Sequence, residues 1–230
     1  MSRNSIFSRF AEPSSACVLL TGFDPFGGDR INPSWLAVHA LHGEVIAGCR
    51  ITAAQLPTVF AHSLSALDAL LEQHRPALVV CVGQAGGRGA LSLERVAINV
   101  CDARMVDNGG AQPVDVPVVP GGPAAYFSSL PIKAMLRALQ QAGLPAEVSQ
   151  TAGTFVCNQV FYGLMHALAQ LPTGGRGKNV TRGGFIHVPY LAEQGTPHMP
   201  LNDIVQGLRV SVACALATPH DVSLGAGQLS

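Results

Sequence analysis

Two periods of hydrophobicity take turns along this chain. Short runs at Ala16 to Thr21, Arg50 to Leu56 and Ala77 to Gly83 predict strands, and between them apolar residues recur every three or four positions. Phe60, Leu64, Leu67 and Leu71 mark an amphipathic helix over 60–74, stopped before Pro76. Asn32 is a good N-cap and Pro33 suits a first helical position, so Asn32-Pro33-Ser34 opens a helix. The run ALVVCVG at 77–83 is apolar throughout, as a strand covered on both faces should be. Further strands are expected at Arg95 to Cys101, Glu147 to Thr151 and Gly184 to Pro189. Further helices are expected around Ile132, Met135, Leu136 and Leu139, ending at Gly143, then over Asn158 to Leu171, then through Ile204, Leu208, Val212 and Leu216. Asp107-Asn108-Gly109-Gly110 reads as a turn.

Strands alternating with helices predict a three-layer α/β/α sandwich with a mostly parallel, mixed central sheet. With about 150 residues per domain as a guide, the 230 residues suit a single α/β domain over 16–230. Residues 1–15 are polar and lack the apolar stretch of a signal peptide, so a disordered lead is expected there. The basic loop TGGRGKNVTR, 173–182, precedes the strand that carries His187.

Composition narrows the function classes. Fourteen basic residues balance fourteen acidic ones, and no Lys or Arg run concentrates positive charge, which argues against a nucleic-acid partner. Apolar runs such as Ala77 to Val82 fall far short of the roughly 18 residues a membrane helix needs, so no membrane association is expected. Six cysteines without a C-x-x-C pair suit a reduced, cytoplasmic chain.

In a sheet of this kind ligands bind beyond the C-terminal ends of the strands, where Gly22–Gly28, Gln84–Glu94, Cys157 and His187 should converge. Cys157 falls at the start of a predicted helix. There the macrodipole and unpaired N–H groups favour a thiolate and could hold an oxyanion; a buried structural cysteine is the alternative. His187 is one polar ring in the apolar run GFIHVP, suited to a general base or to packing with a backbone partner. Glu94 could orient that imidazole, as the acid of a Cys–His–acid triad does. Gly22 to Gly27 has the spacing of a phosphate loop, but Gly28-Asp29 stands where Lys and Ser or Thr are required. His39 and His42 lack an evident third ligand, so neither metal nor cofactor is expected.

At these residues the chain resembles the pyroglutamyl peptidase I (pyrrolidone-carboxylate peptidase) family of cysteine peptidases. The likeness runs from about Cys17 to Gln194. It rests on LLTGFDPFGGDRINPSW (19–35), VGQAGGRGALSLERVAINVCDAR (82–104), DNGG (107–110), VPGGPAAYFSSLPIK (119–133), TAGTFVCN (151–158) and GFIHVPYLAEQ (184–194). The resemblance implies that Glu94, Cys157 and His187 are the catalytic triad. It implies that Phe23, Phe26, Gln84, Arg104, Phe155 and Val156 line the substrate pocket. The implied substrates are N-terminally pyroglutamylated peptides, cleaved through a thioester without cofactor or metal, by a cytoplasmic enzyme that assembles as a homo-oligomer, dimer or tetramer. Gln150 departs from the Asn common at its position.

Overall fold

The strands at the centre of the sheet, Cys17–Phe23, Leu78–Gln84 and Arg182–Val188, are covered on both faces, which is why the run at 77–83 is continuous rather than alternating. The computed structural model describes residues 17–171 and 181–227; the expected lead at 1–15 and most of the 173–182 loop lie outside the described residues. Seven strands form the sheet: β1 (Cys17–Phe23), β2 (Val45–Ile46), β3 (Cys49–Leu56), β4 (Leu78–Gln84), β5 (Leu91–Glu94), β8 (Ala146–Ser149) and β9 (Arg182–Val188). Their spatial order is β2-β3-β1-β4-β9-β5-β8. β3, β1, β4 and β9 run parallel; β5 is antiparallel to β9, and β8 parallel to β5. A separate two-stranded sheet pairs β6 (Val96–Ile98) with β7 (Ala125–Phe127).

Alternate side chains leave the sheet in opposite directions. Val18, Leu20, Val80, Val82, Leu93, Ile186 and Val188 pack under α1 (Pro33–Ala40), α3 (Ile132–Gln141) and α5 (Leu201–Ala217). Leu19, Phe23, Val79, Cys81 and Phe185 pack under α2 (Phe60–His74) and α4 (Val156–Ala169). The expected three layers are therefore present. Asn32 caps α1 as anticipated, its side chain accepting from Ser34 N at 3.0 Å. Gly22 lets that helix lie against β1, because a Cβ there would stand 2.6 Å from Trp35 Cα.

Two differences from expectation bear on the site. The strand predicted over Arg95 to Cys101 is split: the sheet takes Leu91–Glu94 instead, and Val96–Ile98 turns away to pair with β7. Leu91, Ser92, Leu93 and Glu94 alternate apolar with polar, yet all four are buried, because the polar pair faces partners on the α4 side. α4 begins at Val156 rather than Asn158, which brings Cys157 inside its first turn. The side chain of Asn158 then donates to the carbonyls of Ile98 and Val100 and accepts from Ile98 N, docking the small sheet beside the cysteine.

Candidate active site

The site forms on the α4 face of the sheet, where β9, β5 and the tip of α4 meet. His187 lies near the end of β9, two residues beyond Phe185 and on the same face, and is 4% exposed. The antiparallel register sets Ser92 of β5 opposite His187, so Glu94, two residues on, shares that face. The two side chains meet: His187 Nδ1 lies 2.8 Å from Glu94 Oε1. Because Glu94 is also paired with a guanidinium, it accepts and the ring nitrogen donates, leaving Nε2 as the basic nitrogen.

Cys157 reaches the same place from above. Its Sγ would stand 2.8 Å from a Cβ added at Gly83, and the Phe185 ring equally close. Gly83 is the β4 residue in register with His187, and the Phe185 and His187 rings are 4.8 Å apart. Sulfur, imidazole and carboxylate thus gather over a position that has no side chain. α4 starts without a side-chain cap, so the N–H groups of its first turn are not spent on one.

The electrostatics depart from the sequence-based expectation of a stabilised thiolate. Burial pushes the Cys157 thiol up to about 12, with the negative charge of Glu94 adding to the rise; Arg88 and the cysteine's own N–H oppose it. Burial and a carboxylate thus oppose the helix end and make the thiol harder to ionise than its position alone suggests.

The expected pocket residues divide. Phe26 and Phe155 are half-buried, their rings 5.9 Å apart, and Phe60 meets Phe155 edge-on at 5.2 Å. Phe23 is 1% exposed and lies behind Phe185, with ring centroids 6.3 Å apart. Val156 is completely buried, so its side chain belongs to the core under α4 and not to a pocket wall. Gln84 is buried, and its amide is engaged: Nε2 donates to Asp29 Oδ2 at 3.0 Å, and Oε1 accepts from Gln194 Nε2 at 2.9 Å. Arg104 is exposed and makes no hydrogen bond among the described residues, although Asp102, two residues before it, is bonded to Thr154. The guanidinium that meets the triad is instead that of Arg88, 2.8 Å from Glu94 Oε1.

Sequence reasoning missed Arg88, Gly83, Asp29 and Gln194. Arg88 carried the best available signal, a cation in the glycine-rich turn six residues before a candidate acid. His42, once weighed as half of a metal pair, accepts a hydrogen bond from Ala53 N at 3.1 Å. Among the described residues no group of three His, Cys, Asp or Glu side chains is placed to hold a metal, and no helix is long and apolar enough to cross a membrane.

Comparison with known proteins supplies relatives. A family profile described as pyroglutamyl peptidase matches residues 16–218. The pyrrolidone-carboxylate peptidase of Cupriavidus taiwanensis is 58% identical over 217 residues, covering 92% of this chain and 98% of that protein. The crystal structure of pyroglutamyl peptidase I from Bacillus amyloliquefaciens superposes with a TM-score of 0.86 at 46% identity, over 91% of this chain and 99% of that one. A mutant pyrrolidone carboxyl peptidase from Pyrococcus furiosus gives 0.81 at 39% identity, over 87% and 98%.

Proposed function

This chain belongs to the pyroglutamyl peptidase family, and from that premise we propose that it removes an N-terminal pyroglutamyl residue from peptides by means of Cys157, His187 and Glu94. The chain is a cysteine peptidase of the pyroglutamyl-peptidase I type. The observation that carries the triad is the 2.8 Å bond between His187 and Glu94 on the sheet face over which the Cys157 sulfur lies.

A resting thiol gives His187 its task. As Sγ bonds to the pyroglutamyl carbonyl carbon, the thiol proton passes to Nε2, so the thiolate is made only when it is used. Glu94 accepts from Nδ1–H throughout, which fixes the tautomer and stabilises the imidazolium that forms. The carbonyl oxygen takes up negative charge, and N–H groups at the start of α4 are the nearest donors to meet it. When the C–N bond breaks, the imidazolium returns its proton to the leaving amine, and a thioester remains. Water then adds to the thioester carbonyl while His187 accepts its proton; the C–S bond breaks, pyroglutamic acid departs and the thiol is restored.

The pyroglutamyl ring is a small neutral lactam. The half-buried faces of Phe26 and Phe155 suit such a ring, with Phe23 behind them, and no charged partner is needed because the substrate has no free α-amine. Gln84 is read as a support for the pocket, since Asp29 and Gln194 already occupy its amide. Arg104 is read as a residue of the pocket rim.

A panel of reporter amides tests this. The wild type should cleave a pyroglutamyl reporter and leave prolyl and glutamyl ones nearly untouched. Cys157→Ser should lower turnover by on the order of 10⁴-fold or more, while the melting temperature stays within a few degrees. Equal cleavage of all three reporters, or an active Cys157→Ser, defeats the proposal.

A further inference from the structure

We infer that Arg88 is a positioning residue of the triad, holding the Glu94 carboxylate in the place from which it orients His187. The inference rests on the triad reading above. Glu94 is completely buried, and a buried carboxylate persists as an anion only when paired and hydrogen-bonded. Its Oε2 receives no hydrogen bond among the described residues. Everything that holds it converges on Oε1: the His187 ring nitrogen at 2.8 Å and Arg88 Nη1 at 2.8 Å. His187 must change charge during the reaction, whereas Arg88 does not. The guanidinium is therefore the constant counter-charge, and the imidazole is the variable one.

The same guanidinium ties down a second part of the site. Nη1 also donates to Ser149 Oγ at 3.3 Å, and Nη2 donates to the Thr151 carbonyl at 3.1 Å. Ser149 ends β8, and Thr151 opens the segment that leads to Cys157. Arg88 thus fixes the acid from one side and the approach to the nucleophile from the other. Such a span needs the rigid fork of an arginine, and the shorter point charge of a lysine would supply the cation without the second anchor. Its side chain is 27% exposed, so the pair reaches the solvent on the Arg88 side only.

Four groups act electrically on the sulfur: Glu94 from β5, Cys81 from β4, Arg88 from the loop between those strands and the cysteine's own N–H in α4. His187 adjoins from β9. Arg88 is the side-chain cation that eases ionisation of the thiol, so its loss has a chemical consequence that a purely structural strut lacks.

The test compares R88Q, R88K, E94Q, the double variant R88Q/E94Q and C157S on a pyroglutamyl reporter, with circular dichroism confirming the fold. R88Q should lower kcat by roughly 10- to 100-fold with KM within about threefold, and R88K should recover part of that loss. Because Arg88 acts on turnover chiefly through Glu94, the loss in the double variant should fall well short of the product of the two single losses. Alkylation of Cys157 by iodoacetamide at pH 8, followed by the mass of its peptide, should be several-fold slower in R88Q than in wild type. A kcat for R88Q within about twofold of wild type, losses that multiply in the double variant, or unchanged alkylation would overturn the role of Arg88. Should R88Q fail to fold, the same criteria apply to R88M, which likewise removes the cation. An active C157S would defeat the triad reading itself, whereas an inactive C157S beside a fully active R88Q removes only the present inference.

Discussion

Two buried carboxylates in this molecule are held in opposite ways. Asp107 is 4% exposed, and both its oxygens are met by main-chain donors: Phe60 N at 2.7 Å on one, Gly109 N and Ala111 N at 2.8 Å on the other. Burial alone would raise its carboxyl, but these N–H groups win and hold it below the usual carboxylate range. Glu94, also buried, is bonded through its carboxylate only to side chains among the described residues, and one oxygen has no partner among them. The first arrangement ties the 107–111 turn to the start of α2 and has no reason to change. In the proposed triad, the second keeps a negative charge beside the ring that would gain and lose a proton. An acid saturated by backbone serves the fold; under the proposed triad, an acid left partly unmet beside an imidazole serves the chemistry.

Replacing each acid by its amide should separate the two roles. Glu94→Gln keeps the shape but cannot anchor Nδ1–H as an anion. Turnover should fall by about 10³- to 10⁴-fold, with little change in KM or in melting temperature. A variant that melts early but turns over normally would reverse the assignment.

Gly83→Ala probes the functional end without replacing an ionisable group. The added methyl would press on both the sulfur and the Phe185 ring, at 2.8 Å from each. Overpacking of this kind costs about 1–3 kcal/mol, and an ångström-scale displacement of the nucleophile should cost up to about 10²-fold in kcat. Denaturant unfolding and steady-state kinetics on one preparation report both, and wild-type kinetics would show that the close approach is unimportant.

The smallest effect belongs to Asp107→Asn. An amide nitrogen facing a main-chain N–H leaves donors unmet, for about 1–3 kcal/mol of stability, while turnover changes little. The pH dependence has a definite sign. A depressed carboxyl contributes stability that is complete above its unfolded value, about 3.9, and disappears as pH falls through the lower folded value. The gap in melting temperature between wild type and Asp107→Asn should therefore hold near neutrality and close below about pH 4. A gap that is constant with pH would mean that the charge of Asp107 contributes nothing.

Legibility in the sequence followed the same division. Elements with one dominant signal were placed within a residue or two: Leu78–Gln84 by its unbroken apolar run, Phe60–His74 by its periodicity, Pro33–Ala40 by its cap. Leu91–Glu94 was misplaced because a four-residue strand with two buried polar side chains looks like a loop, and its burial depends on β9 and β8, which are far away in sequence. Cys157, His187 and Glu94 each admitted an ordinary structural reading, and only the longer blocks around them made the combination specific. Arg88 stayed hidden because its significance is a distance, created when the turn after β4 folds back upon β5. The upward push of burial on the Cys157 thiol was hidden for a similar reason: helix termini can be read from a string of letters, whereas desolvation cannot.

Position 83 has one more consequence. Enzymes are usually described by the groups they bring to a substrate, but here a hydrogen atom stands where every other amino acid would have carbon. That vacancy lets the tip of α4 settle onto the sheet with its sulfur over the β4 residue in register with His187. In redesign of this scaffold, the irreplaceable ingredient is then an emptiness about the size of a methyl, and substituted residues around it will succeed only if they leave it clear.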